Sequence, residues 1–214
     1  MNRDSPFVAT RPPVVRRLGL VPYARAYDDM RSFTASRTAA TPDELWLLEH
    51  PPVYTLGQAG KEAHLLRATA IPVQRVDRGG QITYHGPGQV ILYALIDLRR
   101  RRLTVKRLVC LLEQAVIDLL AARGIAGARR VGAPGVYVGE AKIAALGLRV
   151  RGGACYHGLA VNVDVGLAPF GDINPCGYEG LAVTRLADLG VRETPEAVGD
   201  ALVAGFERLL EAEA

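Results

Sequence analysis

The chain predicts an α/β or α+β layered fold, and three observations carry that expectation. Three stretches repeat apolar residues at the spacing of one helix face, and clusters of short apolar runs joined by glycine turns separate them. The strands are also grouped rather than alternating singly with helices, which argues against a regular βαβ repeat. A length of 214 residues suits one domain. We expect residues 1–13, with three prolines, to form a flexible lead-in, and residues 14–214 a single domain.

Residues 14–18 read as a first strand, and residues 23–39 as a helix whose stripe is Ala26, Tyr27, Met30 and Phe33. Residues 45–48 form a strand that stops at His50, because Pro51 and Pro52 lack the ladder donor. Strands follow at 73–76 and 90–98, the second apolar on both faces and therefore buried. Thr104 opens the strongest helix: Leu108, Leu111, Leu112, Ala115 and Leu119 share one face, and Gly124 supplies the stop. Strands at 135–138, 142–150 and 156–164 come next. Thr194 followed by Pro195 then starts a last helix with Val198, Leu202, Phe206, Leu209 and Leu210 inward.

Hydrophobic residues make up 49% and charged residues 22%, which excludes a disordered chain. The longest apolar run, residues 90–96, is too short to span a membrane. A net charge of +4 with 6% aromatic residues describes no basic, base-stacking face, so nucleic acid is not an expected partner. Three widely spaced cysteines without a CxxC pair predict reduced thiols and no metal clip, and there is no signal-peptide run. The expected location is the cytoplasm.

A thiolate is the best side-chain nucleophile at neutral pH, so the thiols come first. Cys110 sits among Leu108, Leu111 and Leu112, the setting of a small core filler, and Cys155 leads into a strand after two glycines. Cys176 lies between Pro175, which stiffens the approach, and Gly177, which admits a close neighbour. A catalytic thiol needs a cation or base beside it. Lys142, ahead of the small and apolar residues 143–148, fits that need; its bland reading is a strand-edge lysine that blunts aggregation. His85 and His157, each followed by glycine, are rival bases or ordinary hydrogen-bonded histidines. Residues 78–89, RGGQITYHGPGQ, match neither the phosphate-loop nor the dinucleotide spacing. Four glycines in those twelve residues predict a backbone wall against a slender ligand, with Arg78 and His85 at its head.

In order and spacing, RGGQITYHGPGQ, VILYALIDL, AKIAALGLRV, YHGLAVNV and INPCG with VTRL beyond it resemble the lipoyl(octanoyl) transferase family, from about residue 18 to 189. The resemblance implies a fold like the catalytic domain of biotin and lipoate protein ligases, a mixed central sheet with flanking helices. It implies transfer of an octanoyl group from octanoyl-acyl carrier protein to a lysine of lipoyl domains, those of 2-oxoacid dehydrogenase E2 subunits and of the glycine cleavage H protein, with no cofactor and no metal. By similarity Cys176 is the acyl-thioester nucleophile, and Lys142 lowers its pKa and shuttles the proton. Substrate contacts would fall on Arg78, Gly79, Gly80, Gln81, Ile82, Thr83, Tyr84 and His85, on Ala145, Leu146 and Gly147, and on Gly158, Leu159 and Ala160. Asn174 stands where the family often has an apolar residue, and Tyr178 follows Gly177; both differences bear on the pocket mouth.

Physical chemistry agrees with that assignment. An ammonium beside a thiol in a poorly hydrated pocket favours the thiolate, while the same desolvation eases loss of the ammonium proton, so the two titrate as one unit. Backbone amides of Cys176 and Gly177 are the candidate oxyanion donors. Burial of an eight-carbon chain contributes on the order of 5 kcal/mol. Arg99, Arg100, Arg101, Arg102, Lys106 and Arg107 form either a solvated face or a docking surface for an acidic carrier protein. Two further readings stay open: an ATP-dependent lipoate-protein ligase, which needs a nucleotide site, and a non-catalytic acyl-binding module, in which Cys176 forms no adduct.

Overall fold

The computed structural model describes residues 11–175 and 180–213; the first ten residues of the expected lead-in lie outside the described residues. In chain order the elements are β1 (Val14–Leu20), α1 (Tyr23–Ala35), β2 (Glu44–Glu49), β3 (Val53–Leu56), β4 (Val73–Arg75), β5 (Ile82–His85), β6 (Gln89–Leu95), α2 (Val105–Ala121), β7 (Gly135–Val138), β8 (Ala141–Arg151), β9 (Ala154–Asn162) and α3 (Pro195–Glu211). The six-stranded sheet has the order β1-β2-β6-β9-β8-β7, parallel only between β1 and β2. It is the mixed sheet that the family resemblance implies.

Alternation along the central strands decides what each face carries. Leu92 and Ala94 of β6, with Leu159 and Val161 of β9, pack against Leu108 and Leu112 of α2 and Leu202 and Phe206 of α3. Ile91, Tyr93, Tyr156 and Ala160 look the other way, where α1 lays down Ala26 and Met30. β6 is buried at every position, as a strand covered on both faces must be. Both long helices start at the expected threonines: Thr104 accepts from Arg107 N at 3.1 Å and Thr194 from Ala197 N at 3.3 Å. β8 and β9 join through Gly152 and Gly153, both at positive φ, the two-residue hairpin turn that glycine permits.

Three departures from the sequence reading have physical causes. The β2 strand does stop before His50, but Pro51 and Pro52 turn a corner into β3, which opens a second sheet of order β4-β3-β5. β3 and β5 are four residues each and buried throughout, so neither shows the alternation that marks a strand. α1 ends at Ala35 rather than residue 39, because Arg37 turns inward to Asp43 and donates to Leu95 O at 3.2 Å. The basic run from Arg99 is no uniform face. Asp43, 3% exposed, accepts from Arg37, from Arg100 and Arg101 at 2.6 Å each, and from Asp97 N at 2.8 Å. Arg100 and Arg101 therefore neutralise a buried carboxylate, while Arg99 and Lys106 remain exposed. Among the described residues no helix is long and apolar enough to cross a membrane.

Candidate active site

Lys142 is the second residue of β8, placed before the pairing of β8 with β9 begins at Ala144. Its backbone is held by the opposite neighbour: Lys142 N donates to Ala182 O at 2.8 Å, and Thr184 N to Lys142 O at 3.0 Å. The residue is 4% exposed, and Nζ stands 5.3 Å from the centre of the Tyr137 ring. This burial excludes the bland reading, since an aggregation-blunting lysine stands in water. Room for the side chain depends on Gly135, at φ +123°, where a Cβ would lie 2.7 Å from Lys142 Cε and 2.4 Å from Ala144 O. Gly135 N in turn donates to Glu113 of α2 at 2.9 Å.

The cavity around Lys142 is lined by Thr83, Gln89, Asn162, Phe170, Pro175 and Val183. The approach to Pro175 is anchored, because Ile173 bridges to Leu65 and Asn174 N donates to His64 O at 2.8 Å. Cys176 and Gly177, with the expected oxyanion amides, lie outside the described residues. The other two thiols are free and unsuited to the role. Cys155 is fully buried, donates to Ala94 O at 3.2 Å, and has its pKa pushed up by burial to about 12; Cys110 sits half-buried on α2.

On the α1 face of the sheet, Ala145 opposes Ala160 and Gly147 opposes Gly158 across β8 and β9. Four residues with at most a methyl group leave a groove in the sheet surface. Ile91 and Tyr93 of β6 extend its floor, Tyr23 of α1 closes one side, and the 78–85 segment forms the other. Thr83 and Ala145 line both this groove and the Lys142 cavity, so the two adjoin. The groove from Ala145 to Leu148 spans roughly 10 Å, comparable to an extended eight-carbon chain.

The predicted wall is built by its own backbone. Arg78, 8% exposed, donates to Thr55 O and Oγ1 at 2.7 Å each and to Gly79 O and Gln81 O at 2.9 Å each, which folds the glycine segment around the guanidinium. Gly79 N donates to Leu148 O at 2.9 Å and fastens the wall to β8. Gly80, Gln81, Ile82, Thr83 and His85 then face the groove. Tyr84 does not, because it turns away to pack on Tyr54 and Phe170, with ring centres 5.5 and 5.4 Å apart. Leu146 and Leu159 send their side chains into the α2–α3 core, leaving only backbone at the groove.

Both candidate histidines are buried and electrostatically restrained. His85 lies 2.7 Å from Gln89 Oε1 and 3.3 Å from Thr55 Oγ1, and burial holds its pKa well below the ordinary value. Gln89 Nε2 donates to Asn162 at 2.9 Å and Asn162 Nδ2 to Thr184 O at 2.9 Å, a chain running from His85 to the edge of the Lys142 cavity. Both ring nitrogens of His85 are thus engaged, which is the bland of its two readings. His157, with its pKa also lowered by burial, lies 3.1 Å from Asp77 Oδ1. Burial works against the Asp77 carboxylate, yet hydrogen bonds from His157 and Tyr156 hold its pKa well below the carboxylate range. Among the described residues no group of three or more His, Cys, Asp or Glu is placed to hold a metal. Sequence reasoning missed Tyr23, Ile91 and Tyr93; the i, i+2 spacing of Ile91 and Tyr93 within the 90–98 run is the signal that marks them as one face.

The mixed sheet flanked by helices is the fold of lipoate and biotin protein ligases of known structure. A bipartite lipoate protein ligase from Thermoplasma acidophilum matches with a TM-score of 0.74 at 18% identity, over 94% of this chain and 84% of that one. Biotin protein ligase from Aquifex aeolicus, in complex with biotin and ATP, matches with 0.58 at 12% identity, over 92% and 70%. At such identities the likeness is one of fold. The chain belongs to the family described as lipoyl protein ligase A/B catalytic domain, whose profile matches residues 22–207, and within it to the octanoyltransferases, which are acyltransferases. The octanoyltransferase of Azoarcus sp. (strain BH72) is 64% identical over 98% of this chain and 93% of its own length. That of Aromatoleum aromaticum is 62% identical over 92% and 85%.

Proposed function

We propose that this acyltransferase moves an octanoyl group from acyl carrier protein to a lysine of lipoyl domains, those of 2-oxoacid dehydrogenase E2 subunits and the glycine cleavage H protein, through an acyl thioester on Cys176, in the cytoplasm. One observation carries the reading: Pro175, the covalent neighbour of Cys176, lines the cavity of the buried Lys142, and that cavity adjoins a groove of acyl length. The octanoyltransferase relatives support the acyl group. In the first half, the Cys176 thiolate attacks the thioester carbonyl, the bond to the carrier sulfur breaks, and the Lys142 ammonium protonates that sulfur. In the second, the acceptor amine attacks the new thioester, the bond to Cys176 breaks, and neutral Lys142 takes the proton released as the amide forms. Thiolate and ammonium are then restored. Exchange between thioesters is nearly balanced, and amide formation pulls the sequence forward.

Transfer from octanoyl-carrier protein to an apo lipoyl domain is expected without nucleotide. A requirement for free octanoate with ATP, and release of AMP, would establish the ligase reading instead; binding without transfer would establish the acyl-binding module. Docking of the carrier is left to cations other than Arg100 and Arg101, since both serve Asp43.

Chain length is set by the groove, where each buried carbon pair is worth roughly tenfold in preference. A Cβ on Gly147 would lie 2.9 Å from Gly79 O and 3.3 Å from Arg78 Cδ, so Gly147→Ala pushes the wall and is expected to shift preference toward shorter acyl groups in a chain-length series. An unchanged optimum contradicts this use of the groove. Gly158→Ala is no such probe: its Cβ would meet Leu92 O at 1.9 Å and break the β6–β9 ladder.

A further inference from the structure

Strict alternation along β8 would aim Lys142 away from the groove. Ala145 faces the groove and Ala144 lies in the core under α2 and α3, so residue 142, two before Ala144, belongs by period on the core side. A β-bulge reverses this. Gly135 opposes Ala145 and Val136 opposes Ala144, but Tyr137 opposes Lys142, which leaves Ile143 as the extra residue. Ile143 and Ala144 both pack into the α2–α3 core, and Lys142 turns to the side of Ala145, Thr83 and Asn162. The register of the four-residue strand β7 on β8 therefore decides where the amine stands.

Two pins straddle the bulge. On one side Tyr137 exchanges backbone hydrogen bonds of 2.9 and 2.8 Å with Ala128. On the other, Gly135 N donates at 2.9 Å to Oε1 of Glu113, a residue of α2 that is 6% exposed. Oε2 of Glu113 accepts from Arg129 Nε at 3.0 Å, and Arg129 also donates to Cys110 O at 2.8 Å and Gln114 Oε1 at 2.9 Å. The other charges at this corner are Arg130, 4.4 Å from the centre of the Tyr137 ring, and Glu140, its partner at 2.7 Å. A carboxylate on the buried face of α2, beside Leu112 and Val116, is costly unless its oxygens are used. Glu113 divides them between a guanidinium that has two further acceptors and a strand amide that sits directly behind the Lys142 stem. We propose, resting on the acyl-transfer reading above, that Glu113 is a positioning residue for Lys142: its grip on Gly135 N holds the β7 register, and with it the bulge that aims the amine into the groove-side cavity.

Two conservative variants separate the duties of the carboxylate. Glu113→Gln keeps an acceptor oxygen at the same reach for Gly135 N and gives up the ion pair with Arg129. Glu113→Asp keeps the charge for Arg129, whose long side chain can follow it, but is one methylene too short for a backbone amide that cannot. The rate of Cys176 alkylation against pH, read by intact mass, reports the amine beside the thiol. In the wild type its midpoint is expected below the free-thiol value near ~8.5. Glu113→Asp is expected to raise that midpoint by about one pH unit and to lower kcat for octanoyl transfer about tenfold to a hundredfold, with KM for both protein substrates unchanged. Glu113→Gln is expected to keep the midpoint and lose thermal stability alone. An unmoved midpoint in Glu113→Asp, or a midpoint that moves in Glu113→Gln, makes the residue a structural brace and overturns the proposal. So does rapid amide hydrogen exchange at Gly135 in the wild type, a measurement that needs no variant to fold. A wild-type midpoint already near ~8.5 sinks the pairing of Lys142 with Cys176 itself. A midpoint raised by Lys142→Met but not by Glu113→Asp leaves that pairing standing and removes Glu113 from it.

Discussion

Lys142→Met is expected to lower kcat/KM for octanoyl transfer by about 10²–10⁴-fold, the range for loss of a positioned proton carrier. Methionine matches the lysine stem and keeps the space beside Gly135 filled, so the change removes the amine with little loss of packing. Lys142→Arg is not expected to rescue. Gly135 leaves no room for a guanidinium where its own missing Cβ would already be 3.3 Å from Nζ, and arginine does not release its proton. In the methionine variant the residual acylation rate is expected to climb with pH toward the ordinary thiol range near ~8.5, because Cys176 must then ionise alone. Activity within tenfold of wild type, with an unchanged pH profile, contradicts the role given to Lys142.

Acid is expected to unfold the chain earlier than carboxylate titration alone would. His50 is fully buried, lies 2.6 Å from Val21 O and 2.7 Å from Tyr93 Oη, and has its pKa lowered by burial to about 4. A histidine with a depressed folded pKa contributes its stability above the unfolded value near ~6.5 and loses it as pH falls. The unfolded chain binds the extra proton throughout that window, so stability drops between about pH 6.5 and 4, by on the order of 3 kcal/mol for His50. His85 and His157 are lowered too and add to the same slope, and Asp77, held low by its donors, extends it below the carboxylate range. Denaturant midpoints at pH 7.5, 5.5 and 4.5 measure this. A flat stability across those three values contradicts the neutral, buried state assigned to the histidines.

The sequence made the groove legible in one respect. Residues 142–150 and 156–164 read as two strands, the first small and apolar over 143–148, and the structure pairs Ala145 with Ala160 and Gly147 with Gly158. What period-2 reasoning could not supply was the face. A contiguous motif names every residue, whereas a strand shows alternate ones, which is why Tyr84 leaves the groove between Thr83 and His85 and why Leu146 and Leu159 face the opposite core. β3 and β5 escaped because uniform burial erases the alternation signal. The buried ion cluster at Asp43 escaped for another reason: two of its three arginines, Arg100 and Arg101, lie 57 and 58 residues away, inside a run that reads locally as surface charge. The pairing of His157 with Asp77 spans 80 residues and is equally silent in sequence.

Intact-mass analysis after mixing the chain with octanoyl-carrier protein tests the central claim most directly. One octanoyl increment is expected on the wild type, on Cys110→Ala and on Cys155→Ala, and none on Cys176→Ser. An increment that persists in Cys176→Ser, or none on a wild type that still transfers, contradicts the thioester route.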